Sequence, residues 1–304
     1  MKILVTGSSG LVGTALTSAL ASAGHTVCRL VRPQSAGGEG AKEGFAVAWD
    51  PATGELGGAG VGADAVVNLA GASIADRRWT AQRKALLRSS RIDTTRALVN
   101  ALAKMNARPS VLVSASAIGI YGDRGGETLT EESKPGTDFL ARVAQEWEAE
   151  AMKAEVLGIR AVLARFGIIL ARQGGALPKM ILPFKIGAGG KLGSGRQWMS
   201  WVTLEDVVAI LRFVIENASV GRAINIVSPR PLQNAEFTKS LAKAMHRPAL
   251  FPAPAFALRL ALGEMANALL LSSQRVAPQA LEKLGYRFLH PDLTSALAAI
   301  LAKN

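Results

Sequence analysis

The chain is poor in several residue types, and each shortage excludes a chemistry. Cysteine occurs once in 304 residues, as Cys28. It cannot close an intramolecular disulfide, so nothing calls for an oxidising compartment. The three histidines, His25, His246 and His290, lie far apart and none adjoins a Cys or Asp, so no metal centre is expected. No Gly-x-Ser-x-Gly occurs, which leaves an α/β-hydrolase without its nucleophile. Long apolar runs are missing too. The first stops at Thr6, too short for a signal-peptide core. The most apolar later stretch, Phe251 to Leu271, contains Pro252, Pro254, Arg259 and Glu264, which favours a buried amphipathic helix over a membrane span. A cytoplasmic protein with no membrane partner is expected.

Acidic residues are also scarce: 23 Asp and Glu stand against 35 Lys and Arg, a formal charge of +12. Arg77, Arg78, Arg83, Lys84, Arg88, Arg91 and Arg96 crowd one segment. A nucleic-acid partner would call for aromatic residues among the basic ones, or a helix-turn-helix or zinc signature, and none is present. No nucleic-acid partner is expected; the charge reads as a solvated surface or a funnel for an anionic cofactor and substrate. With 49% hydrophobic and 19% charged residues the chain is globular, long enough for one large domain or two modest ones.

What the sequence does contain is organised around its first residues. Ile3-Leu4-Val5 is a short β-prone run, Gly7, Gly10 and Gly13 follow at three-residue intervals, and Leu16, Ala19 and Leu20 mark one face of a helix. Strand, tight turn and helix are predicted. A pyrophosphate can lie against amides at a helix N-terminus only where no Cβ blocks the backbone, so Gly7, Gly10, Leu11, Val12 and Gly13 are candidate cofactor contacts. The alternative is an ordinary glycine-rich turn. The second strand, His25 to Arg32, ends without the acid that bonds a ribose 2′-OH. Arg32 there fits a 2′-phosphate and so NADP, or is a solvated strand-end arginine.

Further strands are predicted at 45–49, 64–71, 110–116 and 160–166, with helices at about 80–104 and 139–157 between them. Trp49 and Asp50 end the third strand, either beside a bound adenine or as a packing tryptophan and a capped turn. This alternation predicts an α/β fold, a doubly wound parallel sheet of the Rossmann kind. Residues 1–166 form the dinucleotide-binding domain, with 203–228 returning to it through a helix at 204–216 and a strand at 223–227. Residues 167–202 and 229–304 form a smaller, mostly helical substrate-side lobe.

The assembled motifs resemble the extended short-chain dehydrogenase/reductase superfamily, of NAD-dependent epimerase/dehydratase type: T-G-S-S-G-L-V-G at the start, N-L-A-G at 68–71, S-A-S-A at 114–117 and Y-G at 121–122. A-D-R-R-W-T (75–80), S-R-I-D-T-T (90–95), F-L-A-R-V-A-Q-E-W-E (139–148), G-S-G-R-Q-W-M-S-W (193–201), N-A-E-F (234–237) and S-Q-R-V-A-P (273–278) are similar to the atypical "epimerase family protein" branch, which has its own C-terminal lobe. The resemblance implies NADP binding and adds Val31, Arg32, Leu69, Ala70, Arg91 and Arg165 as cofactor contacts. Both Arg91 and Arg165 suit a phosphate or ribose, or else a structural salt bridge.

One departure from the superfamily stands out. Typical members use a Tyr-x-x-x-Lys pair to move the proton that accompanies hydride transfer. Here Tyr121 is followed four residues on by Gly125 and Tyr286 by His290, and the expected positions fall on Phe139 and Val143. The usual serine remains as Ser116 or Ser114; Ser116, the catalytic candidate, can at most hydrogen-bond a substrate oxygen. Two functions fit. One is an NADP(H)-dependent oxidoreductase or epimerase acting on a small-molecule substrate, with an anionic one suited to the basic surface. Its cleft would be lined by Trp79, Ser116, Tyr121, Trp198 and Trp201, with lobe packing as the alternative for each tryptophan and turn packing for Tyr121. The other is a non-catalytic NADP(H)-binding redox sensor or regulator. The sequence sets no oligomeric state.

Overall fold

The computed structural model describes residues 1–31, 45–51, 53–56 and 62–302. Its centre is a sheet of seven parallel strands: β1 (Lys2–Thr6), β2 (Thr26–Val31), β3 (Phe45–Asp50), β4 (Ala65–Asn68), β5 (Val111–Ala117), β6 (Arg160–Phe166) and β7 (Ala223–Ile226). They lie in the order β7-β6-β5-β4-β1-β2-β3, and the two-residue strand Glu55–Leu56 pairs antiparallel with β3. The chain starts at the middle, builds to one edge and returns to build the other. Strand order therefore reverses between β1 and β4, where open α/β sheets hold ligands.

Helices cover both faces, which is why the central strands are apolar at successive positions rather than alternate ones. Ile3, Leu4, Val5, Ala65, Val66 and Val67 have no exposed surface. On one face, α1 (Leu11–Ser22) and α5 (Leu204–Glu216) contribute Leu16, Leu20, Val207, Ile210 and Val214 to the core. On the other, α2 (Ala81–Ala103) contributes Leu98, Val99 and Leu102, and Trp49 packs with them. The helix α3 (Phe139–Met152) lies beside α2.

A third apolar cluster lies outside the sheet. It joins α4 (Leu177–Lys185), α6 (Asn234–Ala244) and α8 (Leu293–Ala302) around Trp201 and Phe237. Short pairings stitch it to the main sheet's connections: Trp201–Thr203 runs parallel with Ile168–Leu170, and Arg275–Val276 with Thr128–Leu129. Local sequence gave no sign of these pairings, which are only two or three residues long.

The buried helix expected over Phe251 to Leu271 is corrected. An eight-residue helix, α7 (Ala255–Leu262), stops at Gly263 with φ +63°, and none of its residues is buried. Burial resumes beyond the break, at Met265 and Ala266. Among the described residues no helix is long and apolar enough to cross a membrane, and no three His, Cys, Asp or Glu side chains cluster to hold a metal ion.

Candidate functional site

The loop between β1 and α1 is shaped by backbone contacts that only glycine permits. Gly7 has φ +65°, and a Cβ on it would lie 2.6 Å from the Leu69 carbonyl oxygen. Both the conformation and the space exclude a side chain. At Gly13 a Cβ would lie 2.2 Å from the Gly7 oxygen, so this glycine seats α1 on the loop. Gly10 is less constrained, with its nearest contact at 3.3 Å. It caps α1 with extended backbone, but no side chain accepts from the first-turn amides and the first turn has no acid. Helices α2, α3 and α5 are capped by the side chains of Thr80, Asp138 and Thr203. The amide end of α1, with Leu11 and Val12 half-buried beside exposed Ser9 and Gly10, stays open to an anion.

Register gathers polar side chains at the same end of the sheet. Thr6 lies opposite Asn68, Asn68 opposite Ser114, and Arg165 between Ser116 and Asn225. Thr6 Oγ1 donates to Asn68 Oδ1 (2.7 Å), and Asn68 Nδ2 donates to Thr95 Oγ1 (2.8 Å) on α2. Trp147 Nε1 on α3 donates to the same hydroxyl (2.9 Å). The amide of Leu69 donates to Thr6 Oγ1 (3.1 Å), which fixes the half-buried Leu69-Ala70 segment against Gly7. Sequence reading missed Thr95 and Trp147, whose roles depend on which helix faces Asn68.

Arg91 lies under the next residues of that segment. It donates to the carbonyls of Leu87 (3.1 Å) and Ala72 (3.0 Å), and its guanidinium sits 5.3 Å from the Trp147 ring. Burial, and then the charge of Arg83, bring its pKa down to about 10. It stays charged at neutral pH with no carboxylate among its hydrogen-bond partners. Val31 is the last residue of β2 and is half-buried. Arg32 lies outside the described residues.

Ser116 belongs to a second network. Its Oγ donates to Glu148 Oε1 (2.6 Å) on α3, and Arg165 grips the same carboxylate through Nε and Nη2, both at 2.8 Å. Arg165 Nη1 donates to the Tyr121 hydroxyl (2.9 Å), which donates to Asn225 Oδ1 (2.7 Å). Burial pulls the Arg165 guanidinium down, but Glu148 and Tyr121 together hold it above its ordinary value. Burial likewise pushes the Tyr121 phenol up, against the pull of Arg165. Two expectations are corrected here. Every nitrogen of Arg165 is already bonded within the protein, so it is a structural salt bridge and not a free ribose or phosphate ligand. Tyr121 has no exposed surface and packs as a strut between β6 and β7, not as a cleft residue.

The tryptophans separate. Trp79 donates from Nε1 to the Ile74 carbonyl and packs edge-on against Phe139, with ring centroids 5.5 Å apart. The Lys84 ammonium lies 4.8 Å from the same Phe139 ring and pairs with Glu264 at 2.5 Å. Lys84 was legible only as one of a basic run. Trp198, half-buried under Arg275, borders an open depression of about 390 Å³ that Gly125, Arg196, Gln197 and Ser273 also line. Trp201 is corrected to a core residue: it has no exposed surface and its Nε1 donates to the Arg230 carbonyl.

A parallel sheet reversing beside a glycine-shaped loop and an open helix end defines a doubly wound protein of the Rossmann kind. The model of the NAD dependent epimerase/dehydratase family matches residues 3–227, and that of a domain of unknown function, DUF1731, matches 253–300. The chain belongs to the NAD dependent epimerase/dehydratase family. Epimerase family protein Mb2239 of Mycobacterium bovis is 43% identical over 296 residues, 97% of this chain and 96% of its own length. Epimerase family protein YfhF of Bacillus subtilis is 40% identical over 305 residues, 99% of this chain and 98% of its own. The crystal structure of human epimerase family protein SDR39U1 (isoform 2) with NADPH matches with a TM-score of 0.88 and 31% identity, covering 100% of both chains.

Proposed function

We propose that this chain is an NADP(H)-binding oxidoreductase or epimerase-type enzyme acting on a small molecule between the C-terminal edge of the sheet and the lobe formed by 167–202 and 229–304. The observation that carries the reading is the Gly7 cradle beside the open amide end of α1, which fits a pyrophosphate and leaves no room for a side chain. Gly7, Gly10, Leu11, Val12 and Gly13 would hold the phosphates, Leu69 and Ala70 the adjoining ribose, and Arg91 a further anionic group. Val31 ends β2, and Arg32, the next residue in sequence, is our candidate for a 2′-phosphate ligand that would distinguish NADP from NAD. A nicotinamide dinucleotide bound there supplies a hydride acceptor or donor.

The chain's own groups would then manage the proton. Ser116 donates its hydrogen to Glu148, so its oxygen can accept from a substrate hydroxyl and orient it. Lys84 is the cation beside Phe139, where a tyrosine would stand, and we take its ammonium as the proton source. Lys84→Met should lower turnover by about 100-fold or more with NADPH affinity unchanged. Lys84→Arg, a cation that does not release its proton at neutral pH, should not restore it; full turnover in either variant would exclude the role.

The defining measurement is a paired titration of NADPH and NADH into the wild type, Gly7→Ala and Arg32→Ala, followed by a carbonyl panel. Tighter NADPH binding, lost in Gly7→Ala and levelled with NADH in Arg32→Ala, supports the cofactor site. Failure of both nucleotides to bind removes it. A second reading, a redox sensor without turnover, is favoured by Phe139 and Val143 in place of a Tyr-Lys pair. NADPH binding that stays silent across the panel would select it.

A further inference from the structure

Six of the eleven exposed large apolar residues among the described ones fall on two stretches of chain that meet. Leu182 (60% exposed) and Ile186 (73%) lie four residues apart at the end of α4, and Phe256 (72%) and Leu260 (79%) lie four apart on α7. Between them stand Leu250 (70%) and Phe251 (61%). Backbone hydrogen bonds join the two stretches: Phe251 N donates to Gly189 O (3.0 Å), Ala253 N to Lys191 O (2.9 Å) and Gly193 N to Ala253 O (2.8 Å). A Cβ at Gly190 would lie 2.0 Å from the Phe251 oxygen, so the segments touch closely. The far end of α7 is anchored as well, by the Lys84–Glu264 ion pair one residue beyond Gly263. The face is held by the fold.

The stretches that carry it are basic, and the acids that approach them are held in ion pairs, Glu264 with Lys84 just beyond α7 and Asp76 with Lys179 on α4. Residues 156–204 contain no Asp or Glu, and neither do residues 237–263. The exposed cations on these stretches include Lys185, Lys191, Lys243, Arg247 and Arg259, and none of the five forms an ion pair among the described residues. A second copy docked symmetrically would bring these five unpaired cations toward their own copies. A helix with no buried residue projects its side chains instead of forming a groove for a protein segment. Projecting Phe and Leu beside unpaired Lys and Arg is the combination by which a protein rests on an anionic bilayer: the apolar tips enter the acyl boundary while the cations meet the headgroups. We infer that the face formed by α4, residues 250–251 and α7 docks this protein reversibly onto the surface of an anionic lipid bilayer. This goes beyond the cofactor reading, does not depend on it, and replaces the sequence-based expectation of no membrane partner.

The test is sedimentation of the full-length chain with vesicles of phosphatidylglycerol and phosphatidylcholine, against vesicles of phosphatidylcholine alone. The wild type should sediment with the anionic vesicles and not with the neutral ones, and added salt should release it. Phe256→Ser with Leu260→Ser should lower partitioning by about tenfold or more, since two large apolar side chains no longer enter the bilayer. Lys185→Glu with Lys191→Glu should lower it comparably while leaving the apolar face intact. All six apolar residues are exposed, so thermal melts by circular dichroism should not separate the variants. Absence of sedimentation with anionic vesicles overturns the inference. So does sedimentation that survives the apolar double substitution, which is then a surface-charge effect. A wild-type dimer that Phe256→Ser/Leu260→Ser makes monomeric would assign the face to a second copy. Retention on immobilised polyglutamate that needs both side chains, without vesicle binding, would assign it to an acidic protein.

Discussion

With 10% and 9% of their side chains exposed, Arg165 and Glu148 can remain charged only because each satisfies the other, in a geometry that Ser116 and Tyr121 complete. Removing one charge strands its partner. Glu148→Gln should cost about 3–5 kcal/mol in urea unfolding, a large part of the roughly 5–15 kcal/mol that holds a domain together. Combining Glu148→Leu with Arg165→Met should cost less than the two single changes added, because no buried charge then lacks a partner. The chain's two tyrosines give a second test at this scale. Burial raises both phenols, Tyr121 without a counter-charge strong enough to reverse it and Tyr286 to about 12, with Asp206 adding to the effect. A phenol whose folded pKa is raised contributes stability that is complete below the unfolded value of 10.0 and is lost as pH rises through the folded one. Alkaline titration of the phenolate absorbance should show Tyr286 still un-ionised at pH 10 in the native protein and Tyr121 ionising above its ordinary value, with stability falling between about pH 10 and pH 12.

At the scale of elements, α1 differs from its neighbours in how it begins. The side chains of Thr80, Asp138 and Thr203 accept from the backbone amides of Arg83, Ala141 and Asp206, so α2, α3 and α5 close their own amide ends. Glycine at the corresponding place in α1 leaves those donors available, at the one point where the strand order reverses. The glycines are not equivalent. Gly13→Ala drives a Cβ against backbone at 2.2 Å and should lower stability by about 1–3 kcal/mol together with NADPH affinity. Gly10→Ala meets the Gly7 oxygen at 3.3 Å and should be far milder. Urea midpoints and NADPH titrations of the two variants check the contrast, and equal losses would mean that the close seating of α1 does not shape the cradle.

Across the whole molecule, the C-terminal segment is woven into the sheet. Asn225 Nδ2 donates to the Ala277 carbonyl, the amides of Leu289 and His290 donate to buried Asp206 at the start of α5, and α8 closes the cluster around Trp201. Unfolding followed by tryptophan fluorescence and by far-ultraviolet circular dichroism should therefore give one coincident transition, and a chain ending at residue 252 should not fold to a cooperative state. Two separated transitions would show that the lobe and the sheet stand independently. The sequence by itself determined what depends on neighbours along the chain: β6 and α5 fall at the expected residues, glycine spacing marks the β1–α1 turn, and no Tyr-x-x-x-Lys occurs. Tertiary structure decided what depends on register and on facing elements. Arg165 finds Glu148 at a separation of 17 residues because α3 packs on β6, and Tyr121, just beyond β5, finds Asn225 at 104 because parallel pairing brings β5, β6 and β7 side by side. The apolar pattern of α7 fits a buried helix and an exposed one equally well. Only its neighbours decide which it is, because a local pattern records a residue's chemistry and not the surface that meets it.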